Sequence, residues 1–291
     1  MTDSSLLDHA VPGRVDALVA AAVEAAGSDG RRGAPVVSVW LGDLDGGVHL
    51  RRRDDVAHYA ASTMKLPLLV AAHRLHAGGD LDLDWSVEVH NRFASAADGS
   101  PYSLDQGDDQ DDETWDAVGG ARSLRYLAEH ATTHSGNLAT NLLLERVGAG
   151  AVAEVLGDAG CSDTTALPRG IEDAAAREAG LDNVVTAADL GLVLRGVAAR
   201  TLAPEGTCAE IEAVLARQEH RDGVPAGLPP GTYVANKTGW VDGVSHDVAL
   251  VRPEGRPAYV LVVLTTVDLP EETASALIAD VSRTVWEGWA R

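Results

Sequence analysis

Strand-like segments stand at both ends of this chain, and a long helical stretch separates them. That order constrains the fold more than any other feature, because a strand satisfies its backbone only by pairing with another. Near the start, Pro35-Val36-Val37-Ser38-Val39-Trp40-Leu41 is rich in β-branched residues. It turns at Asp45-Gly46-Gly47 into a second strand, Val48 to Arg52. Near the end, Tyr233 to Ala235, His246 to Arg252 and Ala258 to Thr265 read the same way, the last two as a hairpin across Pro253-Glu254-Gly255-Arg256-Pro257. Between these ends the spacing predicts helices over Ala61–His76, Ser123–Thr132, Asn137–Val147, Ala151–Asp158 and Ala187–Arg200. Leu6–Ala26 and Glu271–Trp289 are amphipathic and bracket the whole. The expected fold class is α/β of the α+β kind: an antiparallel sheet flanked by helices, with an all-helical lobe inserted. Residues 1–58 and 205–291 are assigned to the sheet domain and 59–204 to the inserted lobe, with the functional cleft between them.

Charge and composition then exclude several function classes. With 23 Lys+Arg against 44 Asp+Glu, the net charge of −21 repels phosphate backbones and anionic membranes. Nucleic acid and membrane partners are therefore not expected, and a monomer acting on a small molecule is. No apolar run reaches the length of a bilayer span. Met1 to Asp29 carries charges throughout and no apolar leader core. The expected location is the cytoplasm for the chain as written, or an exported compartment if a leader has been removed. The run Asp108-Asp109-Gln110-Asp111-Asp112-Glu113 is read as a solvated acidic loop, since it lacks the turn glycine and distal Glu of a calcium loop. Cys161 and Cys208 stand far apart without metal-ligand spacing, and no metal or other cofactor is expected.

Three short motifs carry chemistry. In Ser62-Thr63-Met64-Lys65, positions i and i+3 of a helix bring a hydroxyl and an amine onto one face. The helix N-terminus favours the alkoxide that forms there, and the lysine can accept its proton only if burial or a second cation keeps it neutral. In Ser135-Gly136-Asn137, the serine can relay that proton to a leaving nitrogen, and the asparagine amide can hold a substrate carbonyl and touch the lysine. In Lys237-Thr238-Gly239, followed by Trp240, the lysine and threonine can hold a substrate carboxylate. Gly239 leaves room along the strand edge, and the N–H groups of Trp240 and Ser62 make an oxyanion hole. Taken singly, each motif has an ordinary explanation: a chance helix turn, a helix cap, a common tripeptide.

Taken in order, S-x-x-K, S-x-N and K-T-G resemble the signature of class A β-lactamases and penicillin-binding proteins. The resemblance extends over the whole chain, through the asparagine-rich helix start after Ser135 and the strand–hairpin–helix end from Lys237 to Trp289. It implies a penicillin-recognising serine hydrolase with Ser62 as nucleophile, Lys65 as general base and Ser135 as proton relay. Asn137 would contact the substrate amide, and Lys237 and Thr238 its carboxylate. The implied activity is β-lactam hydrolysis. The alternatives are a related amidase, esterase or D-alanyl peptidase with a non-antibiotic substrate, or a slowly deacylating penicillin sensor.

Three departures from the family pattern matter. The Glu-x-x-Leu-Asn motif that supplies the deacylating glutamate is incomplete. Glu172, one turn after Arg169 and able to pair with it, is preferred over Glu178 for that role. Gly136 stands where the family usually has Asp, so a bond between lobes is expected to be missing. His246 stands about where the family carries a carboxylate-binding arginine. His130 and His134 are expected to pack or cap.

Overall fold

The computed structural model describes residues 6–26 and 34–290. Five strands form one antiparallel sheet: β1 Val36–Asp43, β2 Val48–Arg52, β3 Tyr233–Val241, β4 Val244–Arg252 and β5 Tyr259–Thr266. Their spatial order is β2-β1-β5-β4-β3. The two chain ends meet where β1 pairs with β5, with Val39 opposite Val263. This is the antiparallel α+β arrangement expected from the order of elements.

Both faces of the sheet are buried, which explains why its strands read as continuous apolar runs rather than alternating ones. Because side chains alternate across a strand, Trp40, Val248, Leu250, Val260, Val262 and Leu264 face the helical block. Their neighbours Val39, Leu41, Ala249, Val251, Leu261 and Val263 face two helices from the chain ends. Those are α1, Val11–Ala26, and α7, Glu271–Gly288. The first helix begins later than the apolar pattern suggests. Pro12 is tolerated only in a first turn, and Leu7 instead bridges Trp289.

The helical block contains α2 Lys65–Gly78, α3 Leu124–Thr133, α4 Asn137–Asp158, α5 Ala187–Ala198 and α6 Glu205–Ala216. The first nine residues of α2, Lys65 through His73, are all buried, so it is the hub on which the others pack. The two helices expected at 137–147 and 151–158 are both present within α4, separated by a kink at Gly148, whose non-helical φ of 77° and ψ of 146° only glycine adopts freely. The sequence pattern missed α6, since Gly206 and Thr207 in its first turn dilute the helical signal.

One difference at the C-terminal end bears on the site. β3 runs on past Ala235 to Val241 and joins β4 through Asp242-Gly243, with Gly243 at φ 68°. The Lys-Thr-Gly motif therefore lies in the middle of a nine-residue edge strand. Cys161 and Cys208 are both free thiols. Among the described residues, no helix is long and apolar enough to cross a membrane.

Candidate active site

The first two motifs open onto one cleft of about 1780 Å³, whose walls include Ser62, Ser135, Asn137 and Glu172, and Trp240, the residue after the third motif, lines it too. Ser62 sits half-buried in a 3-10 turn, Ala61–Met64, that leads directly into α2. Ala61 holds φ 43°, a left-handed conformation that costs a non-glycine residue energy and turns the serine toward the cleft mouth. The edge strand β3 presses against this turn. A Cβ at Gly239 would lie 2.8 Å from the backbone nitrogens of both Ser62 and Thr63, so only glycine lets the two backbones approach this closely.

The chain has two lysines in total, Lys65 and Lys237, and both are buried here. Lys65 Nζ donates to Ser135 O at 2.7 Å, to Asn137 Oδ1 at 2.9 Å and, more weakly, to Ser135 Oγ at 3.4 Å. Lys237 Nζ reaches the same Ser135 Oγ at 3.1 Å and donates to Thr238 O at 2.9 Å. The hydroxyl of Ser135 thus stands between two amines, on a residue whose φ is itself a strained 61°. Burial pulls Lys65 down to about 7, against the upward pull of Asp109 and Asp111. Burial and then the neighbouring Lys65 hold Lys237 well below its ordinary value, opposed by Asp247.

Beside the cleft, a smaller cavity of about 110 Å³ is lined by Thr238, Gly239, Trp240 and His220. Thr238 Oγ1 is buried and has no hydrogen-bond partner among the described residues. His220, which no sequence motif singles out, lies edge-on to Trp240 at 4.7 Å between ring centroids.

Four expectations need correction. His246 is not free to meet a carboxylate: it is buried, its Nε2 bonds Tyr59 O at 2.9 Å, and its Nδ1 accepts from Thr265 N at 3.1 Å. Burial pushes its imidazole down to about 4, so it stays neutral inside the strand layer. Arg169 does not pair with Glu172; its guanidinium bonds Asp182 across the loop. The acidic run 108–113 is not simply a solvated loop, because Asp111 is 2% exposed and Asp109 is bonded into the start of α4. The carboxylate expected to be missing at Gly136 is replaced in space: a Cβ there would lie 2.7 Å from Asp111 Oδ2.

Glu172 does line the cleft, on a residue with φ 60°. Its Oε2 accepts from Asp105 N at 2.9 Å, while its Oε1 is buried with no partner among the described residues. Burial raises its carboxyl above the ordinary range; the Asp105 N–H opposes that, and the nearby Asp108, Asp105 and Asp109 charges add to it. Glu178, the other candidate, is exposed at the end of the short helix Ala174–Glu178, and does not line the cleft. The loop holding Glu172 is pinned by Asn141, a residue overlooked in the sequence. Asn141 Oδ1 accepts from Ile171 N at 2.8 Å and its Nδ2 donates to Ile171 O at 3.0 Å. One signal was present: Asn141 lies four residues after Asn137, on the same face of α4. His130 and His134 pack and cap as expected, with their rings stacked at 4.4 Å and His130 Nδ1 donating to Asp111.

The Ser62 turn, the two buried amines on Ser135 Oγ and the Trp240 end of the strand edge meet at one cleft beside the antiparallel sheet. Residues 19–289 match the model of the Beta-lactamase enzyme family, and the chain belongs to that family. Beta-lactamase Toho-2 of Escherichia coli is 31% identical over 187 residues, which is 59% of this chain and 60% of that protein. The matched part thus spans less than two thirds of that relative's length. Among solved structures, a beta-lactamase from Xanthomonas campestris is similar with TM-score 0.78 at 21% identity, covering 96% of this chain and 98% of that one. An ancestral class A beta-lactamase gives 0.77 at 23% identity over 96% and 100%. The penicillin-binding protein PBP-A gives 0.75 at 21% identity over 96% and 95%. At these identities the three structures establish the shared fold.

Proposed function

We propose that this chain is a serine β-lactamase-like hydrolase that opens a β-lactam or related cyclic amide through an acyl-enzyme on Ser62, without a metal or cofactor. The observation that carries this reading is Ser135 Oγ held between Lys65 and Lys237, at 3.4 and 3.1 Å, on the wall of the cleft that Ser62 enters. Of the assigned domains, 1–58 and 205–291 would form one side of that cleft and 59–204 the other, except that α6 Glu205–Ala216 packs with the inserted helices, and a monomer would be the working unit.

In this mechanism neutral Lys65 takes the Ser62 hydroxyl proton as the oxygen attacks the carbonyl carbon. A lysine brought down to about 7 has both protonation states available near neutral pH, which suits a general base. The N–H groups of Ser62 and Trp240 receive the developing oxyanion. As the C–N bond breaks, Ser135 passes its proton to the leaving nitrogen and is resupplied by the adjacent amines. Thr238, with its unpartnered hydroxyl, and Lys237 hold the substrate carboxylate, and Asn137 holds the side-chain amide. Water then attacks the ester and Ser62 recovers its proton. Glu172, whose Oε1 lacks a partner among the described residues on the cleft wall, is the base proposed for that step.

The test is a chromogenic cephalosporin followed through burst and steady state, beside labelling by a fluorescent penicillin. The expected result is turnover by the parent and no labelling of Ser62→Ala. Labelling that survives in Ser62→Ala removes the proposal. One equivalent of product without turnover would make the protein a sensor, and no reaction at all would favour a different amide or ester substrate.

A further inference from the structure

A helix N-terminus leaves its first backbone N–H groups without intrahelical partners, and a local Ser, Thr, Asp or Asn normally covers them. At α4 the preceding residue is Gly136, which has no side chain to do this. The cover comes from 28 residues upstream. Asp109 Oδ1 accepts from Asn137 N at 2.7 Å, and its Oδ2 accepts from Leu138 N at 2.8 Å and from Trp115 Nε1 at 2.8 Å. The carbonyl of Asp108 accepts from Asn137 Nδ2 at 3.0 Å, which fixes the amide so that its oxygen faces Lys65. Two residues on, Asp111 fills the space beside Gly136 and takes hydrogen bonds from His130 Nδ1 at 3.0 Å and from the Thr114 hydroxyl.

We propose that the 108–111 loop is part of the acylation site, with Asp109 the positioning residue that holds Asn137 against Lys65 and Asp111 standing in for the side chain that Gly136 lacks. The inference rests on the acyl-enzyme reading above for its catalytic meaning, but its physical content concerns Lys65 alone. The charged groups bearing on Lys65 are Asp109 and Asp111 from the loop, and Lys65 in turn bears on Lys237 of β3, whose amine shares the Ser135 hydroxyl with it. Burial disfavours the Lys65 ammonium, and the two carboxylates favour it. Asp111 is ionised despite its burial, because the bonds from His130 and Thr114 outweigh the desolvation that would push its carboxyl up. The loop therefore sets two properties of the base together: where its amine is held, and at what pH it sheds its proton.

Because the chain has only two lysines, this can be read directly. Protein labelled with 13Cε-lysine gives two resonances, and Lys237→Arg removes one and so assigns the other. In Asp109→Asn, the Lys65 midpoint is expected to fall by about half a pH unit or more, since a favourable charge is lost. Asp111→Asn, which keeps its volume beside Gly136, moves it the same way and serves if Asp109→Asn does not fold. Asp112→Asn, an exposed neighbour in the same run, leaves it in place. Acylation by a fluorescent penicillin is expected to drop about tenfold in Asp109→Asn and to recover in Asp109→Glu. A Lys65 midpoint unmoved in Asp109→Asn and Asp111→Asn overturns the proposal, as does a rate lowered equally at every pH. If the parent takes no penicillin while its Lys65 midpoint still responds to Asp109, the hydrolase reading fails and the link between loop and lysine stands.

Discussion

Replacing Gly239 by alanine adds a single methyl group at the point where strand β3 touches Ser62, the proposed nucleophile. The backbone there is not in the left-handed region, so alanine can adopt it, and the effect isolates contact from conformational strain. The new Cβ would stand 2.8 Å from Ser62 N and from Thr63 N. An ordinary contact needs about 3.4 Å, so strand and turn must part by about 0.6 Å. Neither side yields easily, because both obstacles are backbone: β3 is paired with β4 from Tyr233 to Val241, and the turn is continuous with buried α2. Overpacking of this kind costs about 1–3 kcal/mol. The same movement displaces Ser62 N, one proposed oxyanion donor, together with the hydroxyl. Since about 1 Å of misplacement costs on the order of 100-fold in rate, acylation should fall tenfold or more. The assay is the second-order rate of labelling by a fluorescent penicillin, with thermal unfolding followed by circular dichroism on the same sample. Parental rate and parental melting temperature together would refute the argument. A lowered melting temperature with an untouched rate would show that the strand edge does not position the serine.

Three further outcomes follow from the charges at the site. Lys65 acts as base only when neutral, and its midpoint is about 7, so acylation should rise with pH through about 7 and level off above it. The same depression has a stability consequence: between about 7 and the ordinary 10.5 the unfolded chain binds the proton and the folded one does not, so this group makes stability rise with pH across that window. A flat acylation profile from pH 6 to 8 would place the base elsewhere. Glu172→Gln should acylate nearly as the parent does and then retain the adduct, read by mass spectrometry after brief exposure to a penicillin. Equal clearance in both would exclude Glu172 as the deacylation base.

The motifs were legible because their chemistry is local. Ser62 and Lys65 share a helix face through i, i+3 spacing, and Lys237, Thr238 and Gly239 lie on a strand whose apolar neighbours declare it. The order of strand runs at both ends declared the antiparallel sheet for the same reason. His246 shows where local reading stops. Its place in the strand matched the position of a carboxylate ligand, but only the neighbouring Tyr59 carbonyl and Thr265 N–H, from other elements, reveal that both its nitrogens are used.

Sequence alone therefore determined the architecture and which motif residues stand together, since periodicity and short spacings fix which groups share a face or a turn. Tertiary structure decided the rest of the site. The capping of α4 by Asp109, the filling of Gly136's space by Asp111 and the pinning of the Glu172 loop by Asn141 join segments 25 to 30 residues apart. No periodic pattern encodes them. Burial acts in the same way on the chemistry: a lysine carries its ordinary proton affinity in any sequence, and only the dry surroundings of Lys65 bring it down to about 7.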